Sequence, residues 1–121
     1  MSTRAQVRFA TREDGVSFSE HPDKIHAQFY VHSDGYPEGL GLDIAMSYVN
    51  YGTISGWEIE HVQDRHADLE YIYYIWSDYD KETWISIFEV KPFIDFHGEC
   101  IFVGKPGKLI NKYKLNTNED G

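Results

Sequence analysis

The sequence is poor in cysteine and in long apolar runs. Cys100 is the single cysteine among 121 residues, so no disulfide bond can form within the chain. No apolar run approaches the ~20 residues that a membrane-spanning helix needs, and no charged-then-apolar leader stands at the start. We therefore expect a cytoplasmic protein in a reducing compartment, without a membrane partner.

Basic residues are also scarce. Lys and Arg number 11 and Asp and Glu number 20, which gives a net charge of −9. This charge repels a phosphate backbone at long range, so we expect no direct binding to nucleic acid. The acidic residues concentrate in residues 58–82, where eight carboxylates stand against two basic side chains.

Sequence motifs of known catalytic and cofactor-binding sites are missing. There is no Walker loop, no dinucleotide fingerprint, no Gly-x-Ser-x-Gly elbow and no His-Glu-x-x-His pair. The six histidines lack the spacing of a zinc site, and Cys100 has no second cysteine to join it. We therefore assign no catalytic residue, no metal ligand and no cofactor, and the pattern favours a binding protein over an enzyme.

Aromatic and alternating residues are abundant instead. Aromatic side chains make up 16% of the chain, which favours β-sheet. Apolar and polar residues alternate along 3–9 and 25–32, as they do in strands with one buried face. Related patterns predict further strands at residues 16–19, 54–62, 69–76, 84–90 and 99–103. The stretch 69–76 is mostly aromatic and β-branched, so we expect a central strand covered on both faces.

Two segments carry the signals of a helix. Pro37 suits a first helical position, and apolar residues then recur at helical spacing until Gly52, which predicts a helix over about 37–50. Pro106 opens a second predicted helix over about 106–114.

These elements predict one α+β domain over residues 1–114, followed by a flexible tail at 115–121. Its core is a five- to six-stranded, mainly antiparallel sheet, because most predicted strands follow one another without a helix between them. An open sheet leaves edges that can pair with a second copy, so a homo-oligomer is a further expectation.

The turn between the second strand and the first helix reads His-Ser-Asp-Gly-Tyr-Pro-Glu-Gly-Leu-Gly over residues 32–41. One interpretation is a structural turn in which Gly35 adopts a positive φ angle and Pro37 starts the helix. The other is a ligand site, because free N–H groups at a helix start favour anions. Asp34 and Glu38 would repel a phosphate there, which favours the structural interpretation.

The same turn carries a family resemblance. The opening Met1-Ser2-Thr3-Arg4 and the later His32-x-Asp34-Gly35-Tyr36-Pro37 resemble a group of small proteins from phages and mobile elements, which begin with Met-x-Thr-Arg and share a His-x-Asp-Gly-Tyr turn. The resemblance covers roughly the first 50 residues. It implies an accessory protein that acts on host machinery in the cytoplasm of the host cell, and it implies no catalytic residue.

The polar face of the two alternating strands is a second candidate site. If the strands are neighbours, one face gathers Arg4, Gln6, Arg8, His26, Gln28, Tyr30 and His32. Arginines and histidines suit an anionic small molecule such as a nucleotide, whereas the alternative is an ordinary solvated sheet face. Together with the turn, the candidate ligand-binding residues are Arg4, Arg8, His26, Tyr30, His32, Asp34, Tyr36 and Gly39.

The acidic stretch 58–82 also holds several aromatic residues. Carboxylates spaced along strands can imitate phosphates and occupy a basic groove on a partner, with aromatic rings as anchors. The alternative is a buried aromatic core with an acidic, solvated rim. The candidate partner-binding residues are Asp64, Asp68, Glu70, Asp78, Tyr79 and Asp80.

Three hypotheses of function follow. The first is a non-enzymatic, acidic binding protein of phage or mobile-element type that inhibits a host defence factor with a basic surface. The second is a sponge that sequesters an anionic nucleotide signal on the polar sheet face. The third is a small nucleotide hydrolase that uses His32 and Asp34.

Overall fold

The computed structural model describes residues 3–11, 22, 24–50, 57–77 and 81–118, without the side chains of 49–50 and 114–118. These residues form the predicted α+β fold. In chain order its elements are β1 (Ala5–Thr11), β2 (Lys24–Val31), a π-helical turn (Pro37–Gly41), α1 (Leu42–Asn50), β3 (Trp57–Glu60), β4 (Tyr71–Ser77), β5 (Thr83–Lys91), β6 (Asp95–Gly104) and α2 (Pro106–Asn118).

The six strands form one sheet that is mostly antiparallel. Their order is β3-β2-β1-β4-β5-β6, and β1 and β4 make the one parallel pair in the described part of the chain. Parallel neighbours need a long crossover connection. In this chain the crossover contains β2, α1 and β3. After it, β4 pairs with the edge of β1 that β2 does not occupy.

Both helices pack on one face of the sheet. Apolar side chains of the helices, including Ile44, Ala45, Leu109 and Tyr113, bury against Ala5, Val7, Tyr73, Ile85 and Ile87 of the strands. This face is the larger apolar core, and its burial is the main favourable term for the fold. The Tyr73 hydroxyl donates a 2.6 Å hydrogen bond to the carbonyl of Gly35, so the turn before α1 is tied to the centre of the sheet.

The helix predicted over 37–50 is confirmed, and it begins with a wider π-helical turn. The prediction for the preceding turn was wrong in one detail, because Asp34 and not Gly35 adopts the left-handed conformation, with a φ of 57°. Aspartate tolerates that conformation. Glycine is needed at 35 for space: its N–H donates to the Thr3 carbonyl at 2.9 Å, and an added Cβ would lie 2.7 Å from the Cβ of Ala5.

The opposite face of the sheet carries a second apolar cluster. Its larger members are Leu69, Ile72, Tyr74, Trp76 and Phe88. Because both faces of the sheet are covered, residues 72–76 of β4 are all buried, as the unbroken aromatic and β-branched stretch of the sequence predicted.

Some predictions fall at the edges of the described chain. The short strand at 16–19 and the helix stop at Gly52 lie outside the described residues. Helix α2 continues to Asn118, beyond the predicted end at 114, because no glycine or proline interrupts that stretch. Neither described helix combines the length and the apolar character that crossing a membrane requires.

Candidate functional site

A cavity of about 550 Å³ opens on the sheet face opposite the helices. It lies between the segment 61–70, here called the strap, and the turn that joins β5 to β6. A backbone hydrogen bond from Phe93 N to the Ala67 carbonyl, 2.9 Å long, links these two walls. The residues that line the cavity are Arg8, Arg65, His66, Ala67, Leu69, Ile72, Tyr74, Val90, Phe96 and His97.

Arg8 is the buried charge of this cavity. Its side chain stands on β1 on the face away from the helices, and the residue is only 5% exposed. The guanidinium donates to the Oε1 atom of Gln6 through Nε at 3.2 Å and through Nη2 at 2.5 Å, and to the hydroxyl of Tyr74 through Nη1 at 2.6 Å. The two acceptor atoms of these three hydrogen bonds belong to neutral groups.

The electrostatic position of Arg8 is therefore unusual. Among the described residues, no carboxylate accepts a hydrogen bond from its guanidinium. Burial is the largest cause that lowers the pKa of Arg8 from its ordinary value, and the charge of Arg65 acts in the same direction, whereas Tyr74 and the more distant carboxylate of Glu60 raise it. A buried cation without a contacting counter-charge is an incomplete ion pair that an anion can complete.

A polar network holds Arg8 in place. Its centre is the carboxylate of Glu60, whose side chain is 10% exposed. Glu60 Oε2 accepts from the amide of Gln6 at 2.8 Å and from the amide of Gln28 at 2.6 Å, and Glu60 Oε1 lies 2.6 Å from Nε2 of His66. Gln6 connects this carboxylate to Arg8, because its amide oxygen faces the guanidinium and its amide nitrogen faces Glu60.

The same amides fasten the strap to the sheet. Gln28 donates to the carbonyls of Asp64 at 2.9 Å and His61 at 3.2 Å, and Gln6 donates to the Asp64 carbonyl at 3.1 Å. Both glutamines are completely buried. Polar side chains that alternation assigned to an outer face therefore lie beneath the strap, where backbone carbonyls accept from their amide nitrogens. The buried Oε1 atom of Gln28 has no hydrogen-bond partner among the described residues.

Aromatic stacking closes one side of the cavity. The ring of Tyr30 stacks on the imidazole of His66, with centroids 4.0 Å apart and an interplanar angle of 25°. The Tyr30 hydroxyl donates to both oxygens of Asp68 at 3.3 Å, and Asp68 pairs with Arg4 at 3.1 Å. The stacking on Tyr30 positions His66 at the cavity wall.

The remaining walls are apolar or aromatic. Leu69, Ile72 and Val90 are each at most 4% exposed and form an apolar floor beside Arg8. Phe96 is 56% exposed and stands at the mouth with His97. The cavity thus combines cationic groups with apolar and aromatic surface, a combination that suits an organic anion with a planar ring.

The structure separates the predicted ligand-binding residues. Arg8 lines the cavity, Tyr30 packs behind its wall, and Arg4 is held outside it by Asp68. His26 lies away from these three residues. A β-bulge shifts the register of β1 and β2 between Phe9 and Ala10, and this shift interrupts the alternation of the side chains between the two faces of the sheet. His26 contacts the Thr11 hydroxyl and lines a smaller depression beside Tyr48 of α1.

The turn residues also lie elsewhere. His32 is exposed and pairs with Glu58 of β3 at 3.0 Å. Asp34, Tyr36 and Gly39 form the turn before α1, where Gly39 N donates to the Tyr36 carbonyl at 3.0 Å. None of these four residues lines the cavity. His32 pairs with a residue of β3, whereas Asp34 belongs to the turn before α1, so the two do not share a partner.

The predicted partner-binding residues that are described have internal partners. An oxygen of Asp64 accepts from the backbone of His61 at 3.2 Å, Asp68 pairs with Arg4, and Glu70 bonds through its backbone to Arg4 and Val90. Asp78, Tyr79 and Asp80 lie outside the described residues. The rings of the acidic stretch are largely buried, with Tyr73, Tyr74 and Trp76 at most 1% exposed.

Sequence reasoning missed most of the cavity. Arg65, His66, Phe96 and His97 come from the strap and from the start of β6, which lie far apart in the chain and meet only in the folded sheet. The alternation of β1 identified Arg8, but no local signal showed that the strap would cover its neighbours.

The described part of the chain contains no cluster of three or more histidine, cysteine, aspartate or glutamate side chains that would hold a metal ion. Cys100 is half-buried, its Sγ atom lies 3.5 Å from the Phe102 carbonyl, and burial raises the pKa of its thiol. A thiol in this state is a poor nucleophile.

Comparison with known proteins adds no family: no protein-family model, no curated protein and no solved structure matches the chain.

Proposed function

We propose that the protein is a non-enzymatic binding protein that captures a small anionic nucleotide in the cavity around Arg8. The observation that carries this proposal is a guanidinium that is 5% exposed, lines a cavity and contacts neutral acceptors. In the host-cell setting that the phage-type opening motif implies, such a protein would act as a sponge for a nucleotide signal.

The energetic cost of Arg8 supports a functional role. Moving a guanidinium out of water costs roughly several kcal/mol, and an apolar side chain of similar volume is often neutral or stabilising at such a position. Hydrogen bonds to Gln6 and Tyr74 offset part of that cost. A bound anion would supply the missing counter-charge and convert the costly residue into the anchor of a complex.

The other groups of the cavity fit the rest of a nucleotide. Arg65 adds a second cation to the cavity, His66 adds an imidazole to its wall, and Phe96 offers an exposed ring at the mouth on which a base can stack. The volume of about 550 Å³ falls within the range of small-molecule sites, about 300–1,000 Å³.

The test is a nucleotide panel with a matched pair of arginine variants. Thermal shift and calorimetry would compare nucleoside mono-, di- and triphosphates, cyclic nucleotides and inorganic phosphate. We expect Arg8→Met to weaken binding by about tenfold or more. It should leave the free energy of unfolding within about 2 kcal/mol, because relief of desolvation offsets the lost hydrogen bonds. Arg4→Met is the control, since Arg4 lies on the same face but outside the cavity.

Two results would contradict this function. One is a panel in which no member raises the melting temperature. The other is an Arg8→Met variant that binds as tightly as the parent protein.

A second function, inhibition of a basic host factor, has one specific observation in its favour. A groove of about 400 Å³ is lined by four acidic residues and one basic one, Lys91, and by Ile94, which is 79% exposed. The acidic residues are Glu70, Glu89, Asp95 and Glu99. Acidic groups around an exposed apolar side chain suit a basic partner surface. An Ile94→Ser variant separates the two functions, because it would weaken binding to such a partner and leave nucleotide binding unchanged.

A further inference from the structure

The cavity has a steep gradient of exposure from mouth to floor. At the mouth, Phe96 is 56% exposed, and Arg65 and His97 are exposed as well. At the floor, Arg8 is 5% exposed and Tyr74 is 1% exposed. The deepest charged group is therefore a cation, and the exposed aromatic ring stands at the entrance.

From this gradient we infer that the cavity takes its ligand with the anionic end first, and that it selects a terminal phosphate monoester over a cyclic phosphodiester. The inference rests on the proposed function and specifies its ligand class. A nucleotide would place its phosphate against Arg8 and leave its base at the mouth beside Phe96.

The hydrogen-bonding capacity of Arg8 supports a terminal phosphate. A guanidinium has five N–H groups. The contacts to Gln6 and Tyr74 use one N–H on each of its three nitrogens, which leaves one N–H on each terminal nitrogen. A terminal phosphate can accept both, as arginine–phosphate pairs commonly do. It carries close to two negative charges at neutral pH, whereas a cyclic diester carries one, so it pairs more strongly with the guanidinium.

The shape of the floor acts against a cyclic diester. The phosphorus of a cyclic diester is flanked on both sides by ester oxygens that lead into the sugar. To bring it to Arg8, the sugar would have to reach the floor as well, where Leu69, Ile72 and Val90 are packed to at most 4% exposure. A terminal phosphate extends beyond the sugar and needs no such space.

The mouth of the cavity contributes affinity without distinguishing the two phosphate types. Phe96 and His97 offer flat surface to a base, and this contact is the same for a linear and for a cyclic nucleotide. The selectivity therefore resides in Arg8, and the two groups of residues can be tested separately.

Calorimetry with the full chain tests the inference, with adenosine 5′-monophosphate, adenosine 3′,5′-cyclic monophosphate and adenosine as probes and the guanosine set in parallel. We expect the linear monophosphate to bind about tenfold tighter than the cyclic one, because its additional negative charge pairs with Arg8. Arg8→Met should reduce that ratio to near one. Phe96→Ala should weaken both ligands by the same factor and keep the ratio.

The outcomes distinguish this inference from the proposed function. Cyclic monophosphate binding that equals or exceeds linear binding, and that still depends on Arg8, would overturn the inference and support the proposed function. A ratio that survives in Arg8→Met would also overturn the inference. Binding of none of the nucleotides in either set would overturn both.

Discussion

Replacing Glu60 by glutamine tests the central electrostatic feature of this fold. The carboxylate is 10% exposed and receives the amides of Gln6 and Gln28 and the ring nitrogen of His66, all within 2.8 Å. A glutamine keeps the shape but turns one acceptor oxygen into an N–H donor. The new N–H faces either the amide donors of Gln6 and Gln28, or Nε2 of His66, which accepts only when the imidazole carries its proton on Nδ1. In both cases the charge that strengthens these contacts is lost.

The magnitude follows from these contacts. A hydrogen bond to a charged group contributes about 1.5–3 kcal/mol, and a buried donor left unsatisfied costs about 1–3 kcal/mol. Because solvent screens little at this exposure, we expect Glu60→Gln to lower the free energy of unfolding by about 3 kcal/mol. For a domain of this size that corresponds to a fall in melting temperature of roughly 12 °C.

Urea unfolding followed by tryptophan fluorescence measures this change. The control is Glu58→Gln, two residues earlier on the same edge strand, where the side chain is 67% exposed and pairs with His32. A surface pair of this kind contributes about 0–1 kcal/mol. If Glu60→Gln costs no more than Glu58→Gln, the network does not hold the strap to the sheet and the reasoning is refuted.

Three further predictions concern single residues away from this network. Burial raises the pKa of Tyr113 from 10.0 to about 12. The stabilising contribution of the protonated phenol is therefore present below pH 10 and is lost as the pH rises through the folded-state value. Tyr113→Phe should flatten the fall in the urea midpoint at alkaline pH, and an unchanged slope would contradict this. Cys100 should react with a disulfide reagent more slowly than a free thiol and speed up in urea; an equal rate in the folded state would refute it. Gly98 has a φ of 77°, and an added Cβ would lie 2.7 Å from the Glu89 carbonyl oxygen. Gly98→Ala should therefore lower the free energy of unfolding by about 1–3 kcal/mol in a denaturation experiment. The control Gly107→Ala, where an added Cβ has nothing within 4 Å, should not lower it, and equal effects would count against the argument.

Local patterns were sufficient for the elements of the sheet. The alternation of β1 correctly placed Val7 and Arg8 on opposite faces of the sheet, because successive side chains of a strand point to opposite sides. The unbroken stretch of β4 correctly indicated a central strand. One bulge was enough to move His26 away from the other polar side chains, and no pattern in β2 announced it.

The sequence by itself determined the fold class, the main elements and the face on which each β1 side chain stands, because these depend on neighbours a few residues apart. The tertiary structure alone decided that Gln6 and Gln28 are buried and that Arg8 lies in a cavity. Alternation distinguishes two faces but does not say what covers each one. The strap covers this face because Glu60 and two backbone carbonyls meet the buried amides, and those contacts join residues more than thirty positions apart.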